Sequence, residues 1–483
     1  MKNIHISIQN ISRLFILIIT LSSCSEDFLE VEVKGDFIAT TTNEYDLLLN
    51  NIQLFSLESI DLDYAMSPEV CRIEPYNTSL LGLSKQPAFR WLPDIYEPEV
   101  QMPNVFGFTR HIYLYNKIIN EVPNSVDGTE SEKKRVEADA RASRAWMYFQ
   151  LINYFGKPYN PATASDDLGF PILTESDVTL TDFSRASVES VYNFMLDDLN
   201  KAIPYLSDLY HRTRMSNATA RALLAKVHIF MGNYSEGLQE LDEAFNLLQN
   251  SSLESGLYDY NITTQPGGIM QNFGFGPNEP VTIFNIENPL VKTSFNIDGG
   301  FFGELVISPE ITALYGPTDI RLTNFFTSEA QVFSGLFLPP GFLRKQGKSN
   351  GYLGINIPDM YLLRAECKAR TNDLSGAVED VEFLRRHRMP IADAPIPTGL
   401  SQDDLIRYIV EEERIREFAV EGKEWFTTRR LSTDPLFSGK VYIHTLYDAT
   451  GAPKETFTLT PERFVLKFND NFMEQNPNII NNP

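Results

Sequence analysis

Apolar side chains in this chain recur at spacings of three and four residues over long stretches, a period that admits helices packed on helices and little else. Phe108, Ile112, Tyr115, Ile118 and Ile119 mark a first amphipathic helix, which Pro123 ends. After the polar linker at 124–131, a longer helix runs through Ala138, Ala142, Ala145, Trp146, Phe149 and Ile152 to Tyr154, and Gly156 and Pro158 stop it. A second block begins at Ser187 with Val188, Val191, Phe194, Met195, Leu199 and Ile203, then breaks at Pro204. Ser216, a good N-cap, opens a helix through Ala220, Leu223, Leu224, Val227 and Phe230. A turn at Gly232, Asn233 and Tyr234 leads into Leu238, Leu241, Ala244, Phe245 and Leu248.

The pattern returns late in the chain. Tyr361, Leu362, Ala365 and Ala369 form one helix, Asn372 and Asp373 a turn, and Ala377, Val378, Val381 and Leu384 the next. A third helix, from Asp403 to about Glu421, carries Leu405, Ile409, Ile415 and Phe418. Paired amphipathic helices with Gly and Tyr in the turn resemble tetratricopeptide repeats. The expected fold is therefore mainly α: tetratricopeptide-like hairpins over about 104–250 and 352–430, separated by a long irregular insertion over about 251–351. That insertion is rich in Gly, Pro, Asn and Phe, with a single strand-like stretch at 281–286. Its aromatics argue for an ordered, functional segment.

Charge narrows the function. The formal net charge is -23, which argues against nucleic acid and against anionic lipid headgroups. The N-terminus reads as a secretory signal: Lys2 and Arg13 precede the apolar run Leu14 to Leu21, and Ser22 and Ser23 lead to Cys24. That run is far shorter than the roughly 20 residues a spanning helix needs. The stretch from Leu21 to Cys24 resembles a bacterial lipobox, which implies that residues 1–23 are removed and that Cys24 becomes the lipidated N-terminus of a body spanning 24–483. Of the other two cysteines, Cys71 and Cys367, the latter sits in a helical stripe, and both read as free and buried rather than paired.

Three motifs spell a family. The first runs from Arg144, Ala145, Trp146, Met147, Tyr148 and Phe149 to Tyr154, Phe155, Gly156, Lys157 and Pro158. The second is Met360, Tyr361, Leu362, Leu363, Arg364, Ala365, Glu366. The third comprises 411–416, then Glu421, Gly422, Lys423, Glu424 and Trp425 with Arg429 and Arg430. With the ending Asn476, Pro477, Asn478, Ile479, Asn482, Pro483, these resemble the SusD/RagB family, outer-membrane nutrient-binding lipoproteins of Bacteroidetes. The resemblance covers nearly the whole chain, and one position departs from it: Thr427 and Thr428 stand where the family usually has an aspartate, so no ion pair is implied there. It implies an outer-membrane, cell-surface location, to which the acidic Ser25, Glu26 and Asp27 add a likeness to the export signal of such lipoproteins. It also implies a SusC-like TonB-dependent transporter as partner and an oligosaccharide or glycan as ligand, with peptide uptake the nearer alternative within the family and a surface glycan hydrolase or a pure scaffold protein the rival readings from other classes.

The residues themselves point away from catalysis. No HExxH pair, GxSxG elbow or GxxxxGK[ST] loop occurs, so neither an enzyme nor a cofactor or metal is expected. The motif residues read as structure: Trp146, Tyr148, Phe149 and Trp425 as core, and Arg364, Glu366, Glu413 and Arg416 as ion pairs between helices. The run Glu411, Glu412, Glu413 otherwise reads as a solvated helix face. Sugar recognition wants aromatic rings in exposed loops with polar groups beside them. Tyr76, Trp91 and Tyr96 lead the candidates, followed by Tyr258, Tyr260, Phe273 and Phe275 in the insertion; each ring could alternatively fill a minor core beneath its loop.

Overall fold

A computed structural model describes residues 39–57, 61–74, 76, 85–96, 105–179, 183–263, 286–295, 305–330, 336–345 and 350–483. Cys24, the segment 1–23, Ser25 to Asp27, Phe273, Phe275 and 281–285 lie outside the described residues.

The helices fall where the period places them. They are α1 (Val105–Glu121), α2 (Glu130–Phe155), α3 (Val188–Ala202), α4 (Asn217–Phe230) and α5 (Tyr234–Gln249), then α6 (Ile357–Arg370) and α7 (Leu374–Arg386). Helix α8 runs from Gln402–Arg407 through a π-helical stretch, Tyr408–Glu413, into Arg414–Phe418, and α9 is Glu424–Leu431. Thr129 and Ser216 close capping boxes at the starts of α2 and α4, each satisfying a backbone N–H that the first turn leaves open. The hairpins α1–α2, α2–α3, α4–α5 and α6–α7 pack side by side, and α5 joins the two helical blocks by packing on α6. This is the tetratricopeptide-like, mainly α architecture expected.

Helix α2 shows how deep that core runs. From Ala138 to Phe155 nearly every side chain is buried, including Trp146, Tyr148 and Phe149. Its Arg144 is buried too, with Nε and Nη2 each donating to the Asp198 carboxylate of α3 at 2.8 Å and Nη1 to Asn116 of α1 at 2.7 Å. Across α6 and α7, Arg364 grips both oxygens of Asp380 at 2.6 and 2.8 Å. Glu366 accepts two bonds from Arg430 of α9, each 2.8 Å. Glu413 is the correction: it is fully buried rather than on a solvated face, held by Arg321 and Arg385 at 2.8 Å and by Arg416 at 3.0 Å. Three guanidiniums offset the desolvation of one carboxylate and hold it down at a pKa of about 2. Arg429 has no such partner among its hydrogen bonds, which go to the carbonyls of Phe464 and Gly156 and to Asn153 Oδ1, and burial lowers its guanidinium to about 10.

The insertion is less irregular than expected. It carries short strands β3 (Thr293–Phe295), β4 (Val306–Ile307), β5 (Phe326–Thr327), β6 (Arg344–Lys345) and β7 (Asn350–Tyr352). β3 pairs with β1 (Ser56–Leu57) and with β7, β4 with β2 (Val70–Ile73), and β5 with β6, while β2 also pairs with β8 (Ile443–Tyr447) of a C-terminal hairpin completed by β9 (Pro453–Thr458). Three small sheets result, ordered β1-β3-β7, β4-β2-β8-β9 and β5-β6. Strands of two or three residues are too short to show a period of two, and in the β1–β3, β2–β4 and β2–β8 pairs the partners lie hundreds of residues apart. Cys71, in β2, and Cys367, in α6, are both free and buried.

Candidate functional site

The four-stranded sheet positions a cluster of aromatic rings at one end. Strand β2 pairs in parallel with β8, Ile73 opposite Tyr447, and the Glu74 N–H then donates to the Tyr447 carbonyl at 2.9 Å. Cys71, Ile73, Val306, Ala330, Leu338 and Phe342 form a buried apolar cluster, and the half-buried rings of Tyr76 and Tyr447 lean on it. Phe342 meets Tyr447 edge-on, with centroids 4.7 Å apart. The β8–β9 turn is pressed against the same loop. Gly451 has φ +86°, and a Cβ there would stand 3.0 Å from the Phe342 ring and 3.1 Å from Pro339, so only glycine fits without displacement.

A backbone ladder next to this cluster turns further apolar groups outward. Ala330 N–H donates to the Leu336 carbonyl and Leu338 N–H to the Ser328 carbonyl, both at 2.8 Å. At this bridge Leu338 enters the core, while Phe337 is 70% exposed and Leu336 53%. Leu336 and Phe337 are thus two neighbouring apolar side chains at the surface beside the buried cluster. Glu74, Glu310, Glu329 and Lys454 supply polar groups around it, and Lys454 stands 3.5 Å from Glu74. Burial first, then Cys71 and Glu310, raise the Tyr447 phenol above its ordinary range, so its hydroxyl stays protonated and can donate or accept.

The aromatics singled out from sequence go to three different places. Tyr76 belongs to the cluster just described. Trp91 is only 4% exposed, with φ +49°, stacked 3.7 Å from the His444 ring, and its Nε1–H donates to the Met66 carbonyl at 3.1 Å. Tyr96 is half-buried with its hydroxyl enclosed, and burial and then Asp63 raise that phenol. Tyr258 and Tyr260 are buried beneath the insertion, where Arg388 lies 4.1 Å over the Tyr260 ring and bonds to the Tyr258 carbonyl and to Glu287. Trp91, Tyr258 and Tyr260 thus fill cores under their loops. A polar cavity of about 50 Å³ beside Tyr260, lined also by Glu287, Arg321, Phe418, Glu421 and Lys423, has room for a few waters. Tyr447, Phe337 and Phe342 escaped the sequence reading; the only local signal for Phe337 is its place in the apolar run Leu336, Phe337, Leu338 beside Pro339 and Pro340.

Among the described residues, no group of three or more His, Cys, Asp or Glu side chains is arranged to hold a metal, and no helix is long and apolar enough to cross a membrane.

Comparison with known proteins gives a consistent picture. A family model described as "Starch-binding associating with outer membrane" matches residues 64–229, and one described as "SusD family" matches 331–483. SusD-like protein P2 of Formosa agariphila is 24% identical over 352 residues, 63% of this chain and 67% of its own. A SusD superfamily structure from Bacteroides thetaiotaomicron superposes with a TM-score of 0.67 at 17% identity, over 92% of this chain and all of that one. A laminarin-binding SusD-like protein superposes at 0.63 and 18% identity, over 92% and 98%. At such identities the structural likenesses speak for the fold.

Proposed function

The chain belongs to the SusD/RagB family, and on that premise we propose that it is a lipid-anchored outer-membrane protein that captures oligosaccharides at the cell surface. It hands them to a SusC-like TonB-dependent transporter without chemical change. Cys24 is the lipid attachment point in this reading, and the acidic residues that follow it direct the body to the outside.

The observation that carries the proposal is the pair of half-buried rings Tyr76 and Tyr447 on the apolar cluster, with Phe337 70% exposed on the loop whose Ala330 and Leu338 enter that cluster, and with Glu310 acting on the Tyr447 phenol. Pyranose rings present C–H faces that pack on aromatics, and their hydroxyls need polar partners alongside. A SusD-like neighbour described as laminarin-binding supports the ligand class. Ligand contact is assigned to Tyr76, Phe337 and Tyr447, with Trp91, Tyr96, Tyr258 and Tyr260 packing the loops behind them and Phe273 and Phe275 as further contacts.

Isothermal titration of the soluble body against a glycan panel tests this. At least one oligosaccharide should bind, and Phe337→Ala should weaken it tenfold or more. Peptide binding with no glycan binding would overturn the proposal. Labelling with a radioactive fatty acid should mark the wild-type protein and leave Cys24→Ala unmarked.

A further inference from the structure

The cations of the insertion point inward. Residues 251–351 contain nine acidic and five basic side chains. Four of the five basic ones are described, and all four are buried. Lys292 donates to the Leu54 carbonyl at 2.9 Å. Arg321 lies between Asp319, Glu413 and Glu417 at 2.8 to 3.0 Å. Arg344 donates to the Glu329 carbonyl at 2.7 Å. Lys345 donates to the Ala419 carbonyl and to Glu421 at 2.7 and 2.8 Å. The fifth, Lys348, lies outside the described residues.

The strand β2 side of the aromatic cluster repeats the pattern. Arg72 and Lys85 are buried, and Arg90 lies 5.0 Å over the Phe457 ring with Glu455 at 3.8 Å. Lys454 is exposed but faces Glu74. Of the described carboxylates of the same segments, Glu287 and Asp319 are buried in ion pairs with Arg388 and Arg321, whereas Glu74, Asp259 and Glu329 are half-exposed, and Asp94, Glu254 and Glu310 are exposed. Binding a carboxylate or sulfate ester calls for charge-assisted bonds from Arg or Lys. Here such a ligand meets surface carboxylates and a chain of formal charge -23, so like charges oppose both its approach and its docking. An uncharged pyranose meets neither obstacle.

Resting on the reading that Tyr76, Phe337 and Tyr447 bind a glycan, we infer that the ligand is an uncharged oligosaccharide and that uronate-containing and sulfated glycans are rejected electrostatically.

The test is titration of the soluble body with neutral oligosaccharides (β-glucan, xylan and starch fragments) and anionic ones (oligogalacturonate, alginate and sulfated galactan fragments), at 20 and 300 mM NaCl. A neutral glycan should bind tightest, with an affinity that changes less than twofold with salt and falls at least tenfold in Phe337→Ala. Tightest binding of an anionic glycan, weakened tenfold or more by salt, overturns the inference. If Phe337→Ala also abolishes that binding, the aromatic cluster remains the glycan site and only the charge argument fails. No binding by any glycan of either class removes both readings. The double variant Glu310→Lys/Glu329→Lys adds a second arm. It should gain binding of an anionic glycan at 20 mM NaCl, and failure to gain it would mean that shape, not charge, excludes acidic sugars.

Discussion

Replacing Glu413 by Gln keeps the shape of a fully buried side chain and removes the charge that three arginines surround. The carboxylate is held at about 2, against an ordinary 4.5. At about 1.4 kcal/mol per unit, that difference makes the folded state more stable by roughly 3 kcal/mol at neutral pH. The same size follows from the general cost of removing one member of a buried ion pair, about 3 to 5 kcal/mol. Unfolding entropy of about 2.1 cal/mol/K per residue over the roughly 440 residues from Thr41 to Pro483 converts this to a fall in Tm of about 3 °C. The sign with pH is fixed. A depressed carboxylate contributes stability above its unfolded pKa and loses it as pH falls through the folded one, so the gap between wild type and Glu413→Gln should be full at pH 7 and shrink steadily between about pH 4.5 and 2. Scanning calorimetry of both proteins across pH 7 to 3 measures it, and the difference between them cancels the other titrating carboxylates. A gap below 1 °C at pH 7, or one that does not narrow in acid, would refute the account of Glu413 as a charged keystone of α8.

Glu69 should behave in the opposite sense: burial, then Glu424, raise it to about 8, so its contribution is lost as pH rises from about 4.5 through 8, and Glu69→Gln should raise Tm at pH 8 with a gain that vanishes near pH 4; a loss of Tm at pH 8 would contradict this. Trp91→Ala should cost about 3 to 5 kcal/mol by emptying a core site, seen as a lowered Tm, whereas Phe337→Ala should leave Tm within about 1 °C; equal effects would erase the distinction between packing and display. Cys71 and Cys367, both buried with their thiol pKa values raised by burial, should resist a thiol reagent in the native protein and react together in denaturant; rapid native labelling of either would place it at the surface. Gly451→Ala should cost about 1 to 2 kcal/mol, seen as a lowered Tm, and weaken glycan binding, because the new Cβ pushes on Phe342 and so on Tyr447; an unchanged Tm would mean the turn yields freely.

The helical half was legible because a helix writes its buried face at a fixed period within one segment. Ser216 capped α4, Gly156 closed α2, and the turn at Asn372 and Asp373 joined α6 to α7, all from neighbours along the chain. The sheets were not legible, since Val70 answers to Ile307 and Arg72 to Leu446, and two-residue ladders leave no local pattern. Glu413 misled for a related reason: three consecutive glutamates look solvated, and only the arrival of Arg321 from the insertion and Arg385 from α7 makes burial tolerable. The candidate site divides likewise. Tyr76 was named from its loop, but Tyr447 reaches the same cluster only through the long-range pairing of β2 with β8, and Phe337 is displayed by a bridge to Glu329 that no local pattern announces.

The inward cations have a consequence for engineering. Arg321 locks onto Glu413 and Glu417 of α8, Lys345 onto Ala419 and Glu421, and Arg388 reaches back from the helices to Glu287. The insertion therefore cannot be exchanged between relatives as a cassette. A graft of 251–351 into another scaffold would part Arg321 from Glu413 and Glu417, Lys345 from Glu421, and Arg388 from Glu287, so variation in this segment is tolerated best at the loop tips, outside the locks.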